Sequence, residues 1–453
     1  MRPLVDPQEV APTLDLCLRV GEILMSNGAG AADVTATMRS LAFHRGLRGA
    51  ELDVTFTSLS MSWQDPGTDD PPVVMLRQVK QRDIDYEDLT RVDHLVRDVL
   101  ADRTTLREAR AEAARIASSG HQTARAAITV AWGVMCAGIA IMLGGDPLVV
   151  AVASVTAMVI DRLQLAMGRR RLPAFYQQVA GGGVATLMAI GAVTLGLADG
   201  LSLMVTANIV MLLSGIGLMG ALQDALSGFY VTSSARLLEA MLATAGIIGG
   251  VSGGLAVAEI AGIEVGRFVP GRTAALDTLT LMAVGAGVAA AAFAVASYAP
   301  WRVVPAIGLI AAGATLLSQA PLLAGFPRAW SVGVAALGIG LVSYGVAGRF
   351  RVPPLVVVVS AIVPLLPGLT IYRGLSLLTE SSGDFRGVLA LVVAASTALA
   401  LAAGVILGEY LAQPLKREAR RLEGRLSGPR LVGPLRERTR TRSRRPGADP
   451  DAP

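Results

Sequence analysis

Charged side chains are scarce in this chain, and the scarcity is concentrated in its middle. Asp, Glu, Lys and Arg make up 17% of the 453 residues, whereas soluble domains carry roughly 25%. Residues 1–120 and 413–453 are rich in charge, and the stretch between them has very little. A single soluble core cannot absorb so long an apolar stretch, because domains stop growing near ~250–300 residues and need a polar surface. The composition predicts a membrane protein with soluble flanks.

Cysteine and histidine are also rare. Cys17 and Cys136 are far apart, and the three histidines, His44, His94 and His121, are scattered. No spacing fits a structural metal or a redox pair, so we expect no metal site, no cofactor and no catalytic residue. The chain also lacks the Gly-x-x-x-x-Gly-Lys-Ser/Thr run that binds nucleotide phosphates. If the apolar region moves a solute, that movement would have to be coupled to an ion gradient or be passive.

The N-terminal region, residues 1–122, predicts a small α+β domain. Two helices over residues 13–46 are broken at residues 26–30, a strand follows over 51–63, and a second strand lies over 73–80. Two further helices are expected at 85–101 and 104–118, the latter capped by Thr104 or Thr105. Asp6 and Glu9 near the start, with no apolar segment after them, do not resemble a secretory signal. We expect this domain to lie in the cytosol.

Residues 123–412 predict a multi-pass region of ten helices, since a spanning helix needs ~20 mostly apolar residues. The expected spans are 124–144, 147–168, 173–198, 201–222, 235–260, 275–298, 302–320, 329–347, 353–373 and 388–411. With a cytosolic N-terminus, the loops after the even-numbered spans face the cytosol and carry most of the basic residues, among them 169–171, Arg236 and Arg302. This predicts a protein of the inner (plasma) membrane with both termini in the cytoplasm.

The tail, residues 413–453, is strongly basic. About a dozen Lys and Arg residues lie between Lys416 and Arg445. Such a segment next to a membrane is attracted to anionic lipids, by ~1 kcal/mol per basic residue near the surface. A solvated, disordered tail without a partner is the alternative, and both are favoured over nucleic-acid binding.

The membrane region contains a short internal repeat. Residues 209–216, Ile-Val-Met-Leu-Leu-Ser-Gly-Ile, align with residues 362–369, Ile-Val-Pro-Leu-Leu-Pro-Gly-Leu, at an offset of 153. The same offset places Pro147 on Pro300. The register divides the region into two repeats of five helices, about 124–260 and 275–411. Because five is odd, the two halves must have opposite orientations, as the inverted repeats of many secondary transporters do.

The repeated segment predicts interrupted helices and a substrate site. Pro364, Pro367 and Gly368 should break the ninth span, and Gly215 should loosen the fourth. Interrupted spans at matching places in two halves are a good sequence indication of a substrate site, although a packing kink is the alternative. Two polar residues near the breaks are further candidates, namely Asn208 and Arg373.

A second set of candidates surrounds the link between the fourth and fifth spans. A zwitterionic substrate needs a cation for its carboxylate, which Arg236 could supply, and an acceptor for its ammonium, for which Asp224 or Glu239 is available. Tyr230 or Thr232 could bind a substrate hydroxyl. Asp224 or Glu239 could also carry a coupling proton, since desolvation raises the pKa of a carboxyl group. The alternative is a plain cytosolic loop in which Arg236 pairs with Glu239 across one helical turn.

Three motifs resemble the threonine/serine exporter family, particularly its actinobacterial members. They are residues 21–30 (Gly-Glu-Ile-Leu-Met-Ser-Asn-Gly-Ala-Gly) with the following strand Val54 to Ser62, residues 223–232 (Gln-Asp-Ala-Leu-Ser-Gly-Phe-Tyr-Val-Thr) with Ala235, Arg236, Glu239 and Ala240, and residues 352–354 leading to 364–368. The resemblance implies a cytosolic N-terminal domain, ten spans, and export of threonine and serine driven by the proton motive force.

Two other readings of the sequence differ in function. Split relatives of the family are linked to dicarboxylate export, so another small metabolite is an alternative substrate. The N-terminal domain could instead be an enzyme or sensor with a membrane anchor, although Ser26, His44 and His94 form no convincing nucleophile–base set. The sequence fixes no oligomeric state and is compatible with a homo-oligomer.

Overall fold

The N-terminal region folds as four helices and a three-stranded sheet. The computed structural model describes residues 7–67, 70–79, 84–121, 123–197, 201–212, 215–261, 276–379 and 385–422. The elements of this region are α1 (Pro7–Ser26), α2 (Ala31–His44), β1 (Glu51–Val54), β2 (Ser58–Trp63), β3 (Val73–Gln78), α3 (Tyr86–Leu100) and α4 (Leu106–Ser118). The sheet is antiparallel in the order β1-β2-β3. The predicted α+β character and its two pairs of helices are confirmed.

The strand that the sequence predicts over 51–63 is a hairpin of two strands. Alternation of apolar and polar residues continues through the turn and therefore does not mark where the chain reverses. The reversal is closed by the amide of Thr55, which donates to the carbonyl oxygen of Ser58 at 2.9 Å. Along β2 every second side chain is buried, namely Leu59, Met61 and Trp63, so one face of the sheet covers the core of the domain.

Polar groups hold the remaining elements of the domain in place. Thr105 and Glu108 form a reciprocal capping box at the start of α4, as the Ser/Thr-x-x-Glu pattern predicts. Asp15 on α1 accepts hydrogen bonds from three arginines, Arg19, Arg77 and Arg110. Burial alone would raise the pKa of Asp15, but the hydrogen bonds from Arg110 and Arg19 lower it. The carboxylate thus links α1, β3 and α4.

The membrane region consists of long apolar helices and two interrupted ones. They are α5 (Arg125–Met142), α6 (Pro147–Arg169), α7 (Ala174–Thr194), α8 (Leu201–Leu212), α9 (Gly215–Leu226), α10 (Tyr230–Ile260), α11 (Leu276–Ala296), α12 (Val304–Leu323), α13 (Arg328–Phe350), α14 (Pro354–Ile362), α15 (Gly368–Thr379) and α16 (Arg386–Leu422). Within the described residues, seven helices are long and apolar enough to span a membrane, or eight if the bent pair α8–α9 counts as one span. The chain is a helical membrane protein.

Both predicted interruptions are present. The axes of α8 and α9 differ by 47°. In the second case α14 ends at Ile362, a 3-10 turn covers Val363–Leu365, and α15 begins at Gly368. Pro364 and Pro367 lie within this interruption, where each lacks the amide hydrogen that a continuous helix would need.

Helices that lie about 153 positions apart along the chain pack in the same pairs. The pair α7–α10 corresponds to α13–α16, and α5–α6 corresponds to α11–α12; both members of each correspondence are in contact. Glycines allow the helices of the pairs α7–α10 and α13–α16 to approach each other closely. A Cβ atom on Gly182 would lie 2.7 Å from the carbonyl oxygen of Ile247, and one on Gly340 would lie 2.6 Å from that of Val405. Small residues at such crossings are typical of membrane helices.

The N-terminal region contacts the helical bundle at three places. It meets the α9–α10 link and also the end of α11, where the amide of Tyr86 donates to the carbonyl oxygen of Ser297 at 2.9 Å. A third contact joins His94 Nε2 to the carbonyl oxygen of Arg351, just after α13, at 2.9 Å. The three places lie just after α9, α11 and α13, which end the fourth, sixth and eighth spans expected from the sequence. The N-terminal region therefore contacts the bundle at the ends of even-numbered spans.

Candidate functional site

Asp224 on α9 and Arg236 on α10 form a buried ion pair beside the N-terminal region. Arg236 Nε lies 3.2 Å from Asp224 Oδ2, and the two residues are 8% and 1% exposed. The link between the two helices is only residues 227–229, because α9 continues to Leu226 and α10 begins at Tyr230. The link expected between the spans 201–222 and 235–260 is therefore mostly helix, and its two ends present polar groups to one surface.

Asp224 caps a helix of the N-terminal region. Its Oδ1 accepts a hydrogen bond of 2.8 Å from the amide of Ala31, the first residue of α2. The preceding residue, Gly30, has no side chain that could cap this helix. The amides at a helix N-terminus lack intrahelical partners and favour a negative charge, so a carboxylate distant in sequence satisfies the first of them.

Arg236 binds the loop that precedes α2. Its Nη2 donates to the carbonyl oxygen of Ala29 at 2.8 Å and lies 3.3 Å from Met25 Sδ. The guanidinium carbon is 5.7 Å from the centroid of the Phe56 ring, within the range of a cation–π contact. Gly220 on α9 leaves the necessary space, since a Cβ atom there would lie 2.7 Å from Arg236 Nη1.

The loop has the conformation that these contacts require. Gly28 has φ of +86°, which an L side chain rarely adopts, and the chain turns there between α1 and α2. Ala29 and Ala31 are buried. The loop thereby directs one carbonyl oxygen and one amide, two residues apart, toward the Asp224–Arg236 pair.

Of the other residues predicted for this set, one joins the pair. Thr232 is buried, and its hydroxyl donates to the carbonyl oxygen of Val54 at 3.3 Å. Tyr230 is 72% exposed, and Glu239 is exposed one helical turn beyond Arg236. The structure thus brings Asp224, Thr232 and Arg236 together on the surface that the N-terminal region covers, and leaves Tyr230 and Glu239 on the outside.

The second predicted set lies at the two interruptions. Asn208 on α8 is 1% exposed; its amide group donates to the carbonyl oxygen of Met204 at 2.9 Å. Its Oδ1 is buried and has no hydrogen-bond partner in the described part of the chain. The residues at the breaks themselves are Gly215, which opens α9, Pro364 in the 3-10 turn, buried Pro367 and Gly368, and half-buried Arg373 on α15.

Sequence reasoning missed how the two family-like motifs are connected. Gly28–Ala31 and Asp224–Arg236 were each identified as distinctive, but nothing in either pattern indicates that they touch. It also missed the aromatic contacts at the end of α11. Tyr86 packs edge-on against Phe293 with centroids 6.4 Å apart, and His121 stacks on Tyr298 at 3.9 Å.

The arrangement supplies ion pairing and hydrogen bonding. The described residues contain no group of three His, Cys, Asp or Glu side chains placed to hold a metal ion. Burial raises the pKa of the Cys17 thiol to about 12, which keeps it protonated and unreactive.

Comparisons with known proteins agree with the fold and the motifs. Residues 15–258 match the family model described as "Putative threonine/serine exporter", and residues 282–411 match "Threonine/Serine exporter, ThrE". A "Probable threonine/serine exporter" of Mycobacterium tuberculosis is 36% identical over 94% of this chain and 81% of its own length. A "Threonine/serine exporter" of Corynebacterium glutamicum is 32% identical over 92% of this chain and 86% of its own length. No solved structure matches.

Proposed function

This chain belongs to the threonine/serine exporter family and functions in threonine and serine export, and we propose that it moves these amino acids outward through two inverted repeats, driven by the proton motive force. The observation that supports this proposal best is the pair of interruptions. Gly215 and Gly368 both open the second part of an interrupted helix, and they are 153 positions apart. Matching breaks in two halves are typical of substrate sites in secondary transporters.

The ten-span arrangement counts two spans beyond the seven long apolar helices and the bent pair α8–α9. One is α7, and the other is the interrupted helix α14–α15. Support comes from packing, since α7 contacts α10 as α13 contacts α16, and α14–α15 corresponds to α8–α9. An odd number of spans per half then requires opposite orientations, with an axis of pseudo-symmetry in the membrane plane.

We place the substrate between the two interruptions and near Asn208. Its buried Oδ1 can accept a hydrogen bond from an ammonium or hydroxyl group, and a buried acceptor without a partner costs ~1–3 kcal/mol. Pro364 and Pro367 each remove one backbone donor from the interrupted helix, and such interruptions are tolerated at membrane depth where they are buried in protein or line a watery cavity. The ammonium, carboxylate and hydroxyl groups of a small hydroxylated amino acid could hydrogen-bond with Asn208 Oδ1 and with the backbone of the interrupted helices.

The cytosolic side is the end that carries the N-terminal region. This region contacts the links after spans four, six and eight, which are the loops that the distribution of basic residues assigns to the cytosol. Both termini would then be cytoplasmic. The tail beyond residue 422 lies outside the described residues, and its attraction to anionic lipids stays a prediction.

Proton coupling is assigned to Asp224 or Glu239. The test is pH-driven threonine transport in proteoliposomes with Asp224→Asn, Glu239→Gln and the double variant. Coupling through these carboxyl groups predicts that the double variant loses accumulation driven by a pH gradient, whereas counterflow persists when it is assayed at saturating threonine, since Asp224 also belongs to the buried ion pair. Accumulation that persists in the double variant would exclude both groups.

The substrate is tested in cells fed a threonine-containing dipeptide. Deletion of the gene should raise intracellular threonine, and expression of the chain should restore the lower level. Counterflow with labelled threonine, serine and succinate in proteoliposomes compares amino acids with a dicarboxylate. Exchange of succinate without exchange of threonine would overturn the proposal.

A further inference from the structure

The loop between α1 and α2 presents one hydrogen-bond acceptor and one donor to the Asp224–Arg236 pair, at the places where an amino acid would present its carboxylate and its ammonium group. The carbonyl oxygen of Ala29 accepts from the guanidinium at 2.8 Å, where a substrate carboxylate would bind. The amide of Ala31 donates to the carboxylate at 2.8 Å, where a substrate ammonium would bind. A third contact comes from β1 rather than from the loop. The Thr232 hydroxyl, which is suited to bind a substrate hydroxyl, donates to the carbonyl oxygen of Val54.

We propose that residues Gly28–Ala31 are an internal mimic of the substrate, which occupies the Asp224–Arg236 pair and is displaced by cytosolic threonine or serine. This inference rests on the proposed function, because it takes the pair as an entry site for a zwitterion. Displacement would free α9, the second part of an interrupted helix, from the N-terminal region. Because that region also contacts Ser297 and the carbonyl oxygen of Arg351 in the other half, it restrains the two halves while the loop is bound.

The energetic logic is competition. The loop neutralises no charge, whereas threonine brings a full carboxylate and a full ammonium, which add Coulomb attraction between opposite charges to the hydrogen bonds. The loop has the advantage of being tethered, which gives it a high effective concentration. The apparent Kd for cytosolic substrate is then the intrinsic Kd divided by the fraction of protein in which the loop is released. A tightly bound loop therefore weakens the apparent affinity.

The first experiment measures release of the loop directly. Ala29 is 3% exposed and contributes only its backbone to Arg236, so Ala29→Cys should label slowly with a maleimide in inside-out vesicles. Saturating threonine should increase the labelling rate about tenfold. Threonine methyl ester lacks the carboxylate and N-acetylthreonine lacks the ammonium, and each should have much less effect.

Two controls accompany the labelling. Phe43 on α2 is 51% exposed, so Phe43→Cys should label quickly with or without threonine. The native cysteines, Cys17 and Cys136, are both 0% exposed, which keeps the background low. An equal threonine response at the buried native Cys17 on α1, measured in the parent protein, would show a general loosening of the N-terminal region and would overturn the inference.

The second experiment weakens the mimic without altering the pair. Ala31 is the first residue of α2, a position that accepts proline, and Gly30 before it has φ −67° and ψ 150°, which suits a residue before proline. Ala31→Pro deletes the amide that binds Asp224. The KM for cytosolic threonine should fall about tenfold, with a smaller change in kcat. The matched control is Leu106→Pro at the first position of α4, after the extended Thr105, which should leave KM unchanged.

The outcomes separate the two proposals. If the parent protein exports no threonine, the proposed function is rejected, and this inference is rejected with it. Export that persists while threonine fails to increase Ala29→Cys labelling would reject only the mimic. A second result would also reject the mimic. In it, Ala29→Cys is labelled quickly when Ala31→Pro is present, and the Ala31→Pro variant unfolds at the same temperature as the parent protein, yet its KM for threonine is unchanged.

Discussion

Arg125 at the start of α5 and Asp161 in the middle of α6 form an ion pair in which Nη2 lies 2.6 Å from Oδ1. The second carboxylate oxygen accepts a hydrogen bond of 2.7 Å from the hydroxyl of Thr129. Asp161 is 4% exposed, whereas the Arg125 side chain is 34% exposed. The charge that interrupts the second expected span is therefore satisfied within the bundle, as charges at membrane depth generally are.

The different exposure of the two partners predicts an unequal cost of removing them. Arg125→Ala leaves a buried carboxylate without its cation, for which we expect a loss of roughly 3 kcal/mol of stability. Asp161→Ala leaves an arginine that can extend toward the membrane surface, so its cost should be about 1 kcal/mol. Thermal unfolding of both variants and of the double variant in detergent measures the difference. Equal costs would show that the pair, rather than burial of the carboxylate, dominates.

The glycines between α7 and α10 give a second prediction. A Cβ atom on Gly250 would collide with the carbonyl oxygen of Val179, whereas one on the adjacent Gly249 would meet nothing within 4 Å. Gly250→Ala should destabilise the protein by about 1–3 kcal/mol, because the two backbones must separate. Gly249→Ala is the matched control and should be neutral or slightly stabilising, since alanine favours helix. Similar unfolding temperatures for the two variants would contradict the close packing of these helices.

The elements were predictable where local pattern determines them. Hydrophobic length identified the seven or eight candidate spans of the described residues, and the prolines at 364 and 367 predicted the interruption that begins after Ile362. The contact between Asp224 and Ala31 was not predictable, because its partners are 193 positions apart and neither motif has a periodicity that refers to the other. The start of α10 at Tyr230 rather than near 235 was missed as well, since Thr232, Ser233 and Ser234 are poor helix formers whose polar side chains resemble a loop.

A third prediction concerns pH and the start of α3. Burial first, then the negative charge of Asp85, raises the pKa of Asp88 from 3.8 to about 6. The neighbouring His121 and Arg91 lower it, and Glu87 adds to the increase. Because the folded protein binds this proton more tightly than the unfolded chain does, the stabilising contribution is complete below about pH 4 and is lost as the pH rises through 6.

Asp88→Asn removes that dependence. We expect the variant to be more stable than the parent at pH 7 by about 1–3 kcal/mol, and the difference to vanish near pH 4. Thermal unfolding between pH 4 and pH 8 measures the difference. Asp98→Asn, at an exposed aspartate on the same helix that pairs with Arg103, is the control and should show no comparable gain. A stability difference that does not change with pH would contradict the assignment.

The last prediction distinguishes an ion pair from a docking contact at Asp224 and Arg236. Removal of either partner should destabilise the protein by ~3–5 kcal/mol, because the other charge remains buried. If the two residues served only each other, the exchanged pair Asp224→Arg with Arg236→Asp would restore much of this loss. The structure predicts that it does not, since the amide of Ala31 can only donate and the carbonyl oxygen of Ala29 can only accept. Arg236→Lys keeps the charge and one donor and should lose less than Arg236→Ala. Thermal unfolding combined with maleimide labelling at Ala29→Cys reads out both stability and docking. Recovery of both by the exchanged pair would show that the N-terminal loop does not depend on the polarity of these residues.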